Sequence, residues 1–135
     1  MNKILVTGGA GFIGSHLVDR LVEENIEVIV FDNFSTGRRE NLDHIKDKVS
    51  IIECDISING SWTKTFDDVD YVFHLASLAD IVPSIQKPYE YYNANVNGTF
   101  NVVYASKKSN IKKFVYAASS SCYGIPDFFP TKEQD

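Results

Sequence analysis

Glycine is concentrated at one point near the N-terminus, in the run Thr7-Gly8-Gly9-Ala10-Gly11-Phe12-Ile13-Gly14. Glycines permit a tight turn with positive φ and let a backbone approach a pyrophosphate closely. The run follows a short apolar segment and precedes an amphipathic one, so a helix is expected to begin at the turn. The free N–H groups and the dipole of a helix N-terminus stabilise bound phosphate. The pattern therefore predicts a phosphate-binding turn.

An acidic residue, Asp32, ends the next apolar segment about twenty residues after the glycines, which is the spacing of a dinucleotide site. A carboxylate there accepts hydrogen bonds from the hydroxyls of an adenosine ribose and repels a 2′-phosphate, which favours NAD over NADP. Arg38 and Arg39 weaken this inference, because guanidinium groups pair well with phosphate. Two adjacent arginines are more often a solvated surface, so NAD remains the predicted cofactor.

Five short apolar runs alternate with longer amphipathic segments and predict the strands that position these residues. The predicted strands span residues 3–6, 27–31, 49–53, 71–74 and 113–117. This alternation predicts an α/β fold with a doubly wound parallel sheet of the Rossmann type, in strand order 3-2-1-4-5. The continuous apolar character of residues 4–6 and 28–31 predicts helices on both faces of the sheet.

Two helices are predicted from apolar residues at helical spacing. The first has an apolar stripe formed by Ile13, Leu17, Val18, Leu21 and Val22. The second follows Pro88 and is expected to relax near Gly98, because glycine weakens a helix interior.

Length and composition indicate one compact domain, since 135 residues with 44% hydrophobic content suffice for a core. A net charge of −5 argues against a nucleic-acid partner, which would need an excess of basic residues. No apolar stretch reaches the roughly 18 residues of a membrane span, so we expect a soluble, cytoplasmic protein. His16 and His74 lack a second ligand at metal spacing, so we expect packing or a backbone hydrogen bond for each, and no metal site.

A series of motifs in order resembles the NAD-dependent epimerase/dehydratase family of extended short-chain dehydrogenases/reductases, most closely its UDP-hexose 4-epimerase branch. After the glycine run, the motifs are Asp32-Asn33-Phe34-Ser35-Thr36-Gly37, Cys54-Asp55-Ile56, Val72-Phe73-His74-Leu75-Ala76, Ser84-Ile85-Gln86-Lys87-Pro88, Asn95-Val96-Asn97-Gly98-Thr99 and residues 116–124. The match covers essentially the whole chain.

The resemblance implies a role for each motif. It implies that the pyrophosphate is cradled by Gly8, Gly11, Phe12, Ile13 and Gly14, and that the adenosine ribose is surrounded by Asp32, Asn33, Ser35 and Gly37. The adenine is flanked by Asp55 and Ile56, and the nicotinamide half is lined by Leu75, Ala76 and Asn95. Ser84 lies near the sugar phosphate, Ser119 is the catalytic hydroxyl that orients the substrate, and Ser120 and Ser121 are substrate-binding. Two structural alternatives stay open, namely a turn-initiating Asp55 and a Ser119 that caps a strand end.

The implied activity is 4-epimerisation of a UDP-hexose or UDP-N-acetylhexosamine by transient hydride transfer to tightly bound NAD, in a full-length homodimer. A Tyr-x-x-x-Lys motif supplies the base in such enzymes, on the helix after the serines. No such motif follows Gly124. We therefore expect residues 1–135 to form only the cofactor-binding domain, truncated after the fifth strand and inactive alone. Tyr104 and Lys108 have this spacing but precede Ser119 on a surface-helix pattern, so we reject them as catalytic.

Three other assignments remain. Nucleotide-sugar 4,6-dehydratases carry acids after the first serine or threonine of this motif, and UDP-glucuronate decarboxylases often carry a glutamate. Ser120 and Ser121 cannot act as acids without a partner, which favours an epimerase. The third alternative is a dinucleotide-binding module without catalysis.

Overall fold

The sheet of this chain has five parallel strands and the predicted order. The structure, a computed structural model, describes residues 2–126 and 128–133, so the ends of the predicted domain lie outside it. The strands are β1 (Lys3–Thr7), β2 (Glu27–Asp32), β3 (Val49–Glu53), β4 (Tyr71–His74) and β5 (Lys113–Tyr116). Their order is β3-β2-β1-β4-β5, with every pair parallel. The predicted Rossmann-type fold is thereby confirmed.

Helices and short 3-10 turns connect the strands. The α-helices are α1 (Phe12–Glu23), α2 (Ile81–Gln86), α3 (Pro88–Tyr92) and α4 (Thr99–Lys108). The predicted relaxation near Gly98 takes the form of a π-helical turn, Asn93–Gly98, between α3 and α4. A Cβ atom on Gly98 would lie 3.1 Å from Cγ1 of Ile56, so glycine lets this turn pack closely on the core.

Alternate side chains of the central strands enter two separate cores. Leu5, Ile29, Phe31 and Val72 pack on one face with Trp62, Phe66, Val102 and Ala105. Ile4, Val6, Val28 and Val30 pack on the other face with Val18, Leu21, Leu42 and Ile45. Because successive residues of a strand point to opposite faces, a continuous apolar run is needed where both faces are covered.

The predicted apolar stripe of α1 is wrong at its first member. Val18 and Leu21 are buried, and Leu17 and Val22 pack against the same core, but Ile13 is 68% exposed. Gly14 is the residue of this turn that faces the glycine run, because a Cβ atom on it would overlap the carbonyl oxygen of Gly8. Ile13 is rotated from Gly14 by about 100° around the helix and therefore points outward.

The ligand-binding edge expected of such a sheet is its carboxyl edge, where the chain stays beside neighbouring strands after each strand ends. Backbone hydrogen bonds extend the pairing there, from Gly8 N–H to Phe31 O (2.7 Å), Leu75 N–H to Thr7 O (3.1 Å), Cys54 N–H to Asp32 O (3.1 Å) and Ala117 N–H to His74 O (3.1 Å). The segments that carry most of the predicted site residues are thus brought to one edge.

Candidate functional site

The glycine-rich turn between β1 and α1 is packed so closely that three of its glycines have no room for a side chain. Gly8 has φ +70°, and a Cβ atom there would lie 2.7 Å from the backbone nitrogen of Ala76. A Cβ atom on Gly9 would lie 2.7 Å from Cγ1 of Val30, and one on Gly14 would overlap the Gly8 carbonyl oxygen. The fold itself therefore requires these glycines.

Gly11 differs from them, because its added Cβ atom would meet only the carbonyl oxygen of Gly8, at 3.2 Å. Its φ of −73° is ordinary for any residue. Helix α1 starts directly after Gly11 with no capping side chain and no acidic residue in its first turn. The N–H groups of that turn are therefore open to an anion, and Phe12 beside them is 80% exposed. This cradle fits a pyrophosphate.

The carboxylate of Asp32 ties the end of β2 to two loops. Its Oδ2 accepts a hydrogen bond from Ala10 N–H (2.9 Å), and its Oδ1 accepts one from Phe34 N–H (2.9 Å). A Cβ atom on Gly37 would lie 2.7 Å from Oδ1, so the loop closes over the carboxylate only with glycine there. A carboxylate oxygen has two lone pairs, so each oxygen of Asp32, a residue that is 9% exposed, keeps one beyond these hydrogen bonds.

The rest of that loop is exposed and locally ordered. The Oδ1 atom of Asn33 accepts a hydrogen bond from Ser35 N–H (3.0 Å), which forms an Asx turn. Both side chains lie on the surface beside Asp32. Asn33, Ser35 and Gly37 thus belong to one loop that follows the carboxylate of Asp32.

The two arginines after this loop have different surroundings. The guanidinium of Arg39 lies over the ring of Phe34, 3.9 Å from the ring centroid, and forms an ion pair with Glu53. Arg38 forms no ion pair within residues 2–126 and 128–133; its backbone N–H donates to Ala10 O (3.0 Å). The charge of Arg39 is therefore already engaged, which the sequence did not reveal.

The residues predicted at the adenine follow β3 and divide between surface and core. Asp55 is exposed and its Oδ1 accepts a hydrogen bond from Ser57 N–H (2.9 Å), so the turn-initiating alternative occurs. The side chain of Ile56 is buried in the core, against the position of Gly98. Ile56 can therefore reach an adenine only through its backbone.

The loop after β4 is held by two side chains. Asn95 accepts a hydrogen bond from Leu78 N–H (2.8 Å) and donates one from its Nδ2 to Leu78 O (2.9 Å). Ala76 N–H donates to Oγ1 of Thr7 (3.3 Å). Leu75 is half-buried in the core. The amide of Asn95 therefore fixes the loop that begins with Leu75 and Ala76.

His74 is buried in a hydrogen-bonded chain that the sequence analysis missed. Oγ1 of Thr7 lies 2.6 Å from Nδ1, and Oγ1 of Thr99 lies 2.9 Å from Nε2. Burial lowers the pKa of this imidazole to about 4. Of the two predicted alternatives, His74 shows packing, with its ring stacked 5.7 Å from that of Tyr116, and its hydrogen bonds go to threonine side chains. Nδ1 of His16 lies 2.8 Å from Phe12 O, which is the backbone hydrogen bond that the other alternative predicts. The available signal was positional, because Thr7 and His74 end neighbouring strands in register.

Ser84 and Ser119 line the same cavity, which has a volume of about 510 Å³. The cavity also contains the predicted residue Asn95, and its lining begins at Ser77, just after Ala76. The sequence analysis missed other lining residues, notably Asp80, Tyr91, Thr99 and Tyr116. Asp80 is the one charged side chain of this lining, and it follows β4 closely in the chain.

Ser119 is the N-cap of a 3-10 turn, Ser120–Tyr123. Its Oγ accepts a hydrogen bond from Ser121 N–H (3.2 Å) and donates one to Ser121 Oγ (3.1 Å). Ser119 therefore caps this turn and not the end of β5, which lies at Tyr116, and it still lines the cavity. Ser120 and Ser121 are exposed and do not line it.

Tyr104 and Lys108 line a different groove, of about 310 Å³, between α4 and the 3-10 segment Ser61–Asp68. Nζ of Lys108 lies 4.5 Å from the centroid of the Tyr104 ring. This groove shares no lining residue with the cavity of Ser119. The separation supports the rejection of this pair as catalytic.

The described part of the chain contains no group of His, Cys, Asp or Glu residues that could hold a metal ion. Within the same residues, no helix has the length and apolar character needed to cross a membrane. Cys54 and Cys122 are free, and burial raises the pKa of the Cys54 thiol to about 12.

A parallel sheet in this order, with a glycine-rich turn at a helix N-terminus and an acid ending β2, defines a dinucleotide-binding Rossmann domain. Comparison with known proteins assigns the family. The chain belongs to the NAD dependent epimerase/dehydratase family, whose model matches residues 4–135. The predicted family is thereby confirmed, and the predicted cofactor, NAD, is the one that the family's description names.

Individual relatives agree with this assignment. A putative UDP-glucose 4-epimerase of Methanocaldococcus jannaschii is 41% identical over 132 residues, which are 96% of this chain and 42% of the relative. The structure of a UDP-N-acetylglucosamine 4-epimerase from Methanobrevibacter ruminantium, in complex with UDP-N-acetylmuramic acid, superposes with a TM-score of 0.89 and 38% identity. That match covers 99% of this chain and 43% of the other.

The UDP-glucose 4-epimerase of Thermus thermophilus was solved in complex with NAD. It superposes with a TM-score of 0.86 and 32% identity, over 98% of this chain and 43% of that one. The chain thus spans about two fifths of the length of these relatives.

Proposed function

We propose that this chain is the NAD-binding part of a nucleotide-sugar 4-epimerase acting on a UDP-hexose or UDP-N-acetylhexosamine. The main support is the cavity that Ser84 and Ser119 share, although they belong to separate segments of the chain. Its lining starts one residue after Ala76, whose backbone packs against Gly8. A dinucleotide whose pyrophosphate lies at the glycine-rich turn can therefore extend towards this cavity.

The start of α1, Asp32, Ser84 and Ser119 each have a chemical task in this proposal. NAD, when bound, supplies the group that accepts and returns a hydride. The N–H groups at the start of α1 bind the pyrophosphate, and Asp32 accepts hydrogen bonds from the ribose hydroxyls. Ser119 orients the substrate hydroxyl, with its Oγ fixed by Ser121. Ser84 faces the sugar phosphate.

One observation favours a second candidate, a decarboxylase. The UDP-glucuronic acid decarboxylase 1 of Arabidopsis thaliana is 40% identical over 133 residues. Ser120 and Ser121 stand where an acid is expected in that branch, which supports the epimerase. The relative affinities for two substrates distinguish these candidates. An epimerase of this kind prefers a UDP-hexose whose sugar is uncharged, and a decarboxylase prefers UDP-glucuronate, whose sugar carries a carboxylate.

The proposal predicts that the 135-residue chain binds NAD but does not catalyse epimerisation. In NMR titrations, NAD should shift the amide signals of residues 8–14 and 32–37, and UDP-glucose should then shift those of residues 77–84 and 117–119. No interconversion of UDP-glucose and UDP-galactose is expected, because no Tyr-x-x-x-Lys motif follows Ser119. General-base catalysis contributes about 10²–10⁴ in rate, so its loss is measurable.

Two results would contradict these expectations. NAD-induced shifts confined to other residues would contradict the proposed cofactor site. Turnover by the chain would mean that Tyr104 and Lys108, or a group contributed by another chain, act as the base. A Tyr104→Phe variant would be inactive in the first case and active in the second.

A second prediction concerns the carboxylate of Asp32. Asp32→Ala should narrow the preference for NAD over NADP, because the variant neither repels a 2′-phosphate nor binds the ribose. It also loses both hydrogen bonds, to Ala10 and Phe34, whereas Asp32→Asn retains an acceptor oxygen for one of them and is therefore the better test of charge. We expect Asp32→Asn to reduce the ratio of the two affinities about tenfold in calorimetry, which corresponds to about 1.4 kcal/mol. If the unmodified chain bound NADP as tightly as NAD, Arg38 or Arg39 and not Asp32 would determine the cofactor preference.

A further inference from the structure

Glu53 is a charged residue at the ligand edge to which the proposed function assigns no role. It ends β3 and is paired in register with Asp32 at the end of β2. Neighbouring strands lie about 5 Å apart, so the two carboxylates leave the sheet side by side. The side chain of Glu53 is 60% exposed, and its partner is the guanidinium of Arg39.

Arg39 is held on the loop that follows Asp32 by this ion pair and by one aromatic ring. Its guanidinium carbon lies 3.9 Å from the ring centroid of Phe34, and Phe34 N–H is bonded to Asp32. The following segment is fastened to the glycine-rich turn, because Nδ2 of Asn41 donates to Ala10 O (2.8 Å). A guanidinium therefore stands on the loop that follows Asp32, with its Nη2 donating to Glu53.

We propose that Glu53 is a specificity-determining residue, which engages the Arg39 guanidinium and so withholds it from the 2′-phosphate of NADP. A guanidinium binds phosphate oxygens through paired N–H donors, so a released Arg39 is well suited to this ligand. The carboxylate of Glu53, at the end of β3, competes with the 2′-phosphate for those N–H donors. The inference rests on the proposed binding of NAD. It gives the chain a second means of discriminating between NAD and NADP, beside the direct repulsion of the 2′-phosphate by Asp32.

The test is a double-mutant cycle on the chain, with the dissociation constants of NAD and NADP measured by calorimetry. Glu53→Gln should tighten NADP binding about fivefold, the scale of an exposed ion pair, and change NAD binding by less than about twofold. In the Arg39→Ala background the same Glu53→Gln change should bring no gain. The gain should also shrink at high salt, because exposed charges are screened.

Glu40→Gln is the matched control. Glu40 is exposed next to Arg39 and forms no ion pair in the described part of the chain, so its replacement removes the same charge without releasing the guanidinium. It should leave NADP affinity within about twofold of the unmodified chain. Circular dichroism checks that all variants fold, as expected for exposed side chains.

Each alternative result has a distinct meaning. A gain from Glu53→Gln that persists in the Arg39→Ala background would show direct repulsion by Glu53 and overturn the inference. An equal gain from Glu40→Gln, or no gain from Glu53→Gln, would overturn it as well. A folded, unmodified chain that binds neither nucleotide would overturn the proposed function and the inference together.

Discussion

Replacement of Gly11 by valine is expected to abolish NAD binding while the chain stays folded. Gly11 has an ordinary extended conformation, and an added Cβ atom meets only the Gly8 carbonyl oxygen, at 3.2 Å. A valine side chain would occupy the open side of the turn, where the pyrophosphate has to approach the N–H groups of α1. We expect an affinity loss of at least about 100-fold, or about 3 kcal/mol, by titration calorimetry.

Two other glycines make this experiment specific. A Cβ atom on Gly60 would meet the Trp62 ring, with Cδ1 at 3.3 Å and Nε1 at 3.5 Å. This glycine lies outside the proposed site, so Gly60→Val should keep NAD affinity. Gly14→Ala should lose both folding and binding, because its Cβ atom would overlap the Gly8 carbonyl. If a folded Gly11→Val variant bound NAD with unchanged affinity, the proposed cofactor site would be wrong.

The free energy of unfolding is expected to fall by about 3 kcal/mol between pH 7 and pH 4 through His74 alone. Burial lowers the pKa of His74 from 6.5 to about 4, so the folded chain holds this imidazole neutral. The unfolded chain gains a proton below pH 6.5 that the folded chain does not bind. The stabilisation of the folded chain that comes from neutral His74 is therefore complete above pH 6.5 and is lost as the pH falls towards 4. Each unit of pKa difference between the folded and unfolded chain corresponds to about 1.4 kcal/mol.

Other groups titrate in the same range, so the measurement needs a variant that isolates His74. In His74→Gln the replaced side chain carries no charge at any pH. Between pH 7 and pH 4, the free energy of unfolding of this variant should fall by about 3 kcal/mol less than that of the original chain, as measured by urea denaturation at each pH. The control His16→Gln, at an exposed position, should follow the original chain. Parallel pH curves for the original chain and His74→Gln would contradict the buried neutral imidazole.

The fold was predictable from the sequence because its signals are local. An apolar run such as residues 28–31 marks a strand that is covered on both faces, whatever the rest of the chain does. The glycine run and Asp32 follow their strands directly, so strand geometry alone carries them to one edge of the sheet. For the same reason, the sequence indicated that Gly11, Asp32 and Ser119 belong to a common ligand-binding edge.

Exposure and partner choice were not predictable, because they depend on which distant segments meet. Ile13 fits the helical period but points away from the core, since Gly14 makes the contact with the turn. Ile56 belongs to the adenine motif but is buried where the π-helical turn allows Gly98 to approach.

Three residues show that hydrogen-bond and ion-pair partners also depend on distant segments. The amide of Asn95 is hydrogen-bonded to Leu78, Arg39 is paired with Glu53 from β3, and His74 lies between two threonines. The sequence by itself determined the strands, their order, the phosphate-binding turn and the chemical types at the carboxyl edge. Only the tertiary structure decided which of those groups are engaged by other parts of the chain and which remain open to a ligand, because hydrogen bonds and ion pairs form between neighbours in space.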